Sequence, residues 1–201
     1  MQESNDQGKL IVFEGCDDVG KSTIVSALAE SLSEKKYPVR VLAFPGNEVG
    51  TLGKWVYDFH HSDSAKNVSQ AALQSLHISA HIDCIETIIQ PLLAGGNMIV
   101  LDRYWWSTWV YGTVSGISEA CLQKMIQLEL EIWCGRIPDI LIHVRRKASE
   151  SKVAMESLAS EYSRLATRES EKYPVVELQN NNTVDDAIQR IENQLAKLNI
   201  L

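Results

Sequence analysis

LIVFEGCDDVGKST, residues 10–23, decides how the rest of the chain is read. Leu10 to Phe13 form a continuous apolar run, the pattern of a short strand buried on both faces. From Gly15 the stretch fits G-x-x-x-x-G-K-[ST], with Gly20 and Lys21 closing it and Ser22 following. The glycines let backbone N–H groups turn inward around phosphate oxygens, and a helix starting near Lys21 adds its free amides and dipole. In this arrangement Lys21 reaches the β- and γ-phosphates of a nucleoside triphosphate, and the Ser22 hydroxyl ligates magnesium. Gly15, Asp18, Val19, Gly20, Lys21, Ser22 and Thr23 are therefore the expected ATP-binding stretch. Two adjacent carboxylates, Asp17 and Asp18, stand at the rim of this polyanion site and call for a reason.

Outward from the loop, strands and helices alternate. A helix is expected from about Lys21, with Ile24, Ala27, Leu28 and Leu32 on one stripe, then a strand from Val39 to Phe44. Asn47 to Gly53 reads as a loop. The longest helical pattern runs from about Ser69 to Leu93, stopped by Gly95-Gly96. Met98 to Leu101, Ile140 to Val144 and Val175 to Leu178 are the remaining strands. Ser118 and Thr183 read as N-caps, the first of a helix ending near Cys134 with Gly135 as its C-terminal turn. Five apolar strands separated by helices predict one α/β domain over residues 1–201. Its expected architecture is the three-layer P-loop NTPase fold, a five-stranded parallel sheet with helices on both faces. The polar stretch around residues 145–160 is the candidate lid.

Composition sets the outer limits. Of 201 residues, 45% are hydrophobic and 22% charged, which is ordinary globular usage, and the net charge of -7 argues against a nucleic-acid-coating surface. The four cysteines form no CxxC pair and read as reduced thiols. The N-terminus lacks the basic and apolar regions of a signal peptide, and no apolar run has the length to cross a bilayer. A cytoplasmic protein without membrane or nucleic-acid partners is the expectation.

Asp102-Arg103-Tyr104 follows the strand ending at Leu101, and in an open α/β sheet that is the edge where ligands bind. Asp102 there is placed to hold magnesium or its water shell, and Arg103 to bridge the phosphates of donor and acceptor. A surface pair capping the strand is the plainer reading.

Taken together, FEGCDDVGKST (13–23), AFPGNEVGTLGK (43–54), IQPLLAGGNMIVLDRYWWS (89–107) and IPDILIHV (137–144) resemble the thymidylate kinases in order and content. The resemblance covers residues 10–144, about two-thirds of the chain. It implies ATP and magnesium as cofactors, nucleotides as substrates, a homodimer, and transfer of a phosphoryl group to a deoxynucleoside monophosphate, with dTMP to dTDP the default. It also answers the opening question. The residue matching Asp17 faces the acceptor's 3′-hydroxyl, away from the triphosphate, while Asp18 reads as solvent-facing. Lys21, Arg103 and Asp17 become the catalytic set, Asp102 and Ser22 the metal ligands, and Arg145 a donor-side contact. Phe44, Pro45, His77, His81, Ser107 and Tyr111 fall against the acceptor.

The chain also departs from the family pattern. His77 and His81 stand where members carry a stacking Phe and a base-contacting Arg. They are read as base-pocket residues whose contacts strengthen as pH falls toward about 6, as partly buried polar groups, or with Cys84 as zinc ligands at i, i+4 and i+7. Lid arginines are sparse, so Arg145 and Arg146 either serve the lid or are solvated strand-end charges. Trp105, Trp106 and Trp109 are expected in the pocket wall or a subunit contact. Two alternatives follow: a kinase for a different or modified nucleotide or a nucleoside, and a nucleotide-binding protein without transferase activity.

Overall fold

The computed structural model describes residues 8–146 and 153–201. Its five strands are β1 (Lys9–Glu14), β2 (Val39–Ala43), β3 (Met98–Asp102), β4 (Ile140–Arg145) and β5 (Val175–Gln179), all parallel in the order β2-β3-β1-β4-β5. The three central strands carry the longest apolar runs. Leu10 to Phe13, Ile99 to Leu101 and Ile140 to Ile142 are fully buried, as strands covered on both faces must be. The edge strands β2 and β5 are only partly covered. Register aligns Phe13 and Ala43 with Asp102, and Glu14 with His143, so the chemically interesting strand ends arrive at one level. Because β1 lies between β3 and β4, the crevice opens beside the loop that leaves β1.

Helix α1 (Lys21–Glu34) packs against α8 (Val184–Lys197), while α3 (Gln70–Cys84), α5 (Trp105–Val114), α6 (Glu119–Ile132) and α7 (Val153–Glu169) pack among themselves. The expected caps form: Ser118 accepts from the Cys121 N–H, Thr183 from the Asp186 N–H, and Gly135 turns away at φ 78°. The expected loop at 47–53 gives way at Leu52 to α2 (Leu52–His60), capped by Thr51. The single long helix expected over 69–93 is instead α3, a π-helical turn over Ile85–Ile89, and α4 (Gln90–Ala94). Pro91 explains the break: it has no N–H to donate back, and its ring crowds the carbonyl four residues earlier, so the chain widens there.

The tryptophans are covered within this chain. Trp105, Trp106 and Trp109 are 0–3% exposed and pack inside the core. Trp106 Nε1 donates to Tyr173 Oη at 2.9 Å and Trp109 Nε1 to Glu161 Oε1 at 2.7 Å, so the indoles bind α5 to α7 and the turn after it. Of the stretch expected to form a lid, 147–152 lie outside the described residues, and from Val153 the chain is already α7.

Candidate functional site

The loop between β1 and α1 is shaped by two glycines. At φ 143° Gly15 passes so close to β4 that a Cβ would sit 2.3 Å from the Val144 carbonyl oxygen. Gly20, at φ 88°, caps α1 in a conformation other residues adopt only with strain. Lys21 is not the open, ligand-facing side chain its motif suggests. It is 6% exposed, and Nζ donates to the carbonyls of Gly15 at 2.9 Å and Cys16 at 2.6 Å. Burial, with Arg103 nearby, lowers its pKa against the opposing pull of Asp102, Glu14 and Asp17. Thr23 is exposed, and Val19 is buried with its carbonyl accepting from Asn180 Nδ2 at 2.7 Å. The Asn180 N–H donates to the Arg145 carbonyl at 2.7 Å, so this residue ties the loop to the ends of β4 and β5.

Ser22 Oγ donates to Asp102 Oδ2 at 3.0 Å, while Asp102 Oδ1 is buried with no hydrogen-bond partner. A buried carboxylate oxygen without a donor is uncommon, and beside a serine hydroxyl it suits a hard divalent cation with oxygen ligands. Magnesium therefore fits these two residues. From them a cleft of about 210 Å³ extends past Pro45, Gly46, Glu48, Asp83 and Cys84.

Across the loop, Asp17 is held from two sides. Arg103 Nη2 pairs with Oδ1, and Tyr111 Oη donates to Oδ2 at 2.6 Å, with the Arg103 guanidinium 5.6 Å from the Tyr111 ring centre. Partial burial opposes ionisation of Asp17, yet Arg103, Tyr111 and Lys21 together hold its carboxyl below the usual range. Asp18 is exposed, at φ 61°, and makes no side-chain hydrogen bond among the described residues. The two carboxylates thus differ in surroundings: one faces Arg103, the other water.

Other expected contacts are turned elsewhere. Ser107 is 8% exposed and bonded inward to Glu14, so it does not face an acceptor directly. Phe44 is 4% exposed and stacked on His81, with ring centres 4.1 Å apart, and a cis peptide joins it to Pro45. Arg145 Nη1 donates to Glu177 Oε2 at 2.9 Å, pairing the ends of β4 and β5.

His81 is 3% exposed, with Nδ1 bonded to Glu129 Oε2 at 2.8 Å and Glu129 itself fully buried. His77 Nε2 lies 2.7 Å from His60 Nδ1, so these two rings share one proton between them. Burial, with His81 and His60 nearby, pushes the His77 pKa down to about 3. His77 therefore stays neutral at pH 6, and the pH-strengthened contact expected of it has no basis in its own protonation. The zinc reading also fails, since no three His, Cys, Asp or Glu side chains converge for a metal among the described residues.

His143 is 2% exposed, stacks on Tyr162 and leaves Nδ1 without a partner. Burial pushes its pKa down to about 4 from 6.5. The neutral ring contributes stability above about 6.5, a contribution that fades as pH falls toward about 4. Urea unfolding should show His143→Phe losing less stability than wild type between about pH 7.5 and 5, by about 2 kcal/mol. His77 acts with the same sign in both proteins and cancels in the difference. Parallel pH profiles would mean that His143 carries no such penalty.

Sequence reasoning missed Glu14, His60, Glu129, Tyr162 and Asn180. For Glu14 and Asn180 a signal existed. A carboxylate ending a central apolar strand must be buried and satisfied, and the polar run after β5 emerges at the ligand-binding edge.

The description Thymidylate kinase belongs to the family model that matches residues 13–188. A thymidylate kinase of Chlorobium chlorochromatii is 32% identical over 143 residues, which are 71% of this chain and 62% of that protein. A probable thymidylate kinase of Archaeoglobus fulgidus is 34% identical over 116 residues, 58% of this chain and 56% of that one. The match thus spans about three-fifths of these relatives' own length. The crystal structure of thymidylate kinase from Ehrlichia chaffeensis superposes with a TM-score of 0.78 over 94% of this chain and 99% of that one, at 20% identity, a likeness of fold. The family match runs through the phosphate loop, the Asp102-Arg103 strand end and the helices between them, and the chain belongs to the thymidylate kinase family.

Proposed function

We propose that the protein transfers the γ-phosphoryl group of ATP to a deoxynucleoside monophosphate, with dTMP to dTDP the first reaction to test. One observation carries this reading. Arg103 lies near Lys21 and pairs with Asp17, which supports one guanidinium serving both substrates. A phosphate-binding loop alone serves any nucleotide hydrolase. A second anionic substrate gives Arg103 and Asp17 a common purpose.

The loop N–H groups and Lys21 hold the donor phosphates, Lys21 exchanging the Gly15 and Cys16 carbonyls for phosphate oxygens. Ser22 and Asp102 would hold magnesium, which when bound neutralises charge on the donor phosphates. Asp17 and Tyr111 position the acceptor's sugar, and Arg103 directs its 5′-phosphate. An oxygen of that phosphate forms a bond to the γ-phosphorus as the bond to the β,γ-bridging oxygen breaks, and ADP leaves. No side chain becomes covalently attached. A homodimer and a cytoplasmic location belong to the same proposal.

Base recognition falls to the helix that carries His77 and His81. His81 is committed to Glu129 and His77 to His60, so neither offers the free, forked donor that an arginine there provides. This favours a second reading, a kinase whose preferred acceptor is another or a modified nucleotide. ADP release should be measured with ATP and magnesium against dTMP, dUMP, dCMP, dGMP and AMP. At least one should stimulate release strongly. If ATP binds and none does, the transferase reading falls and a nucleotide-binding role replaces it.

A further inference from the structure

Arg103 is held in place by more than its partner at the site. Its backbone adopts φ 75°, a left-handed conformation that costs a residue with a side chain about 1–2 kcal/mol. Such strain persists only where the surroundings over-determine it. The Arg103 N–H donates to the Phe13 carbonyl at 2.9 Å, which fixes the main chain. Nη2 goes to Asp17, and Nη1 donates to Ser107 Oγ at 3.0 Å.

Ser107 has no freedom of its own. Its hydroxyl donates to Glu14 Oε2 at 2.7 Å and stands 2.9 Å from Tyr162 Oη. A serine hydroxyl has one proton and two lone pairs. With the serine proton donated to Glu14 Oε2, Tyr162 donates to one lone pair of Oγ and Arg103 to the other. The hydroxyl is fully used.

Glu14 is fully buried, and Oε1 accepts from the N–H groups of Tyr104 at 2.7 Å and Ser107 at 3.0 Å. It caps the start of α5 from the end of β1, with an anion at the positive end of the helix. Burial raises its pKa against Arg103 and these hydrogen bonds. Tyr162 comes from α7 and is also fully buried. Three elements, β1, α5 and α7, therefore converge on one hydroxyl behind one guanidinium.

We propose that Ser107, clamped by Glu14 and Tyr162, is a positioning residue that sets the direction of the Arg103 guanidinium. The catalytic part rests on the transferase reading above, and the test separates the two. Ser107→Ala should lower kcat by up to about 100-fold, the scale of a displacement of roughly 1 Å in a reacting group. Binding of ATP, measured by calorimetry, should stay within about twofold of wild type, because Lys21 and the loop are untouched. Tyr162→Phe removes one hydrogen bond without emptying space and should cost about tenfold in kcat. Combined with Arg103→Ala, neither change should lower kcat further, since both act through Arg103. Multiplying effects in the double variants would overturn the proposal and leave Ser107 a general structural residue.

A readout independent of catalysis completes the test. In wild type, nitrogen-15 spectra should show separate Nη1 and Nη2 signals for Arg103, because the guanidinium is held from both ends. Ser107→Ala should merge them. Separate signals in wild type that merge in the variant would support positioning even if no acceptor stimulates ADP release, in which case the transferase reading alone fails. Unchanged signals in Ser107→Ala, with its melting temperature showing a folded protein, would sink the positioning role.

Discussion

Lys21→Ala should lower acceptor-dependent ADP release by about 100- to 1,000-fold, the cost of removing one preorganised charge from a transferring group. The reasoning starts from burial. The ammonium is already stripped of most of its water and is held by two loop carbonyls, Gly15 and Cys16. Little reorganisation is then needed when phosphate oxygens replace those carbonyls, and the charge acts at short range in a site of low dielectric. Burial and Arg103 lower its pKa, while Asp102, Glu14 and Asp17 oppose that, so the acidic neighbours help keep it charged for use. The fold should survive its loss. Leu10 to Phe13, Ile24, Leu28 and Leu32 anchor both flanks of the loop in the core, and Asn180 fixes it from outside. The check is kcat together with thermal melting. Near wild-type turnover in a folded Lys21→Ala protein would show that the phosphate site lies elsewhere.

How far the fold could be read in advance depended on how local the deciding physics was. Central strands buried on both faces are mostly apolar, so Leu10 to Phe13 and Ile140 to Val144, broken only by His143, were visible as runs. Caps at Ser118 and Thr183 were visible because a hydroxyl serves an N–H only three residues away. Strand order was not, because it depends on which sheet edge each crossover returns to. The same limit hid the inner part of the site. Glu14 serves backbone groups at 104 and 107, Ser107 meets Tyr162, and His81 meets Glu129, each pair separated by dozens of residues. Motif spacing places Lys21, Ser22 and Asp102 at one crevice. Only packing shows that His81 is spent on Glu129 and Phe44 rather than presented to a base. The tryptophans had to leave water, as their number and spacing required, but which surface covers them is a tertiary fact, here α7 and its following turn.

Arg103→Ala should be the most damaging single change, lowering turnover by about 1,000-fold, the lower end of what a bridging arginine supplies in phosphoryl transfer. Its two terminal nitrogens have separate tasks, one toward Asp17 and one toward Ser107. Arg103→Lys keeps a positive charge but offers a point rather than a fork. It cannot satisfy both partners and should recover no more than about tenfold of the loss. Without the guanidinium, the Asp17 carboxyl loses its main source of stabilising charge, and its pKa should rise toward the ordinary range. Asp17 then ceases to contribute the stability that its lowered pKa supplies above the unfolded value and that fades as pH falls. Arg103→Gly separates chemistry from folding. It should be as inactive as Arg103→Ala, yet more stable by about 1 kcal/mol, because glycine accepts φ 75° without steric penalty. Turnover in Arg103→Ala within tenfold of wild type, or equal stability of the alanine and glycine variants, would show that the strained backbone at Arg103 is not held there for the sake of its side chain.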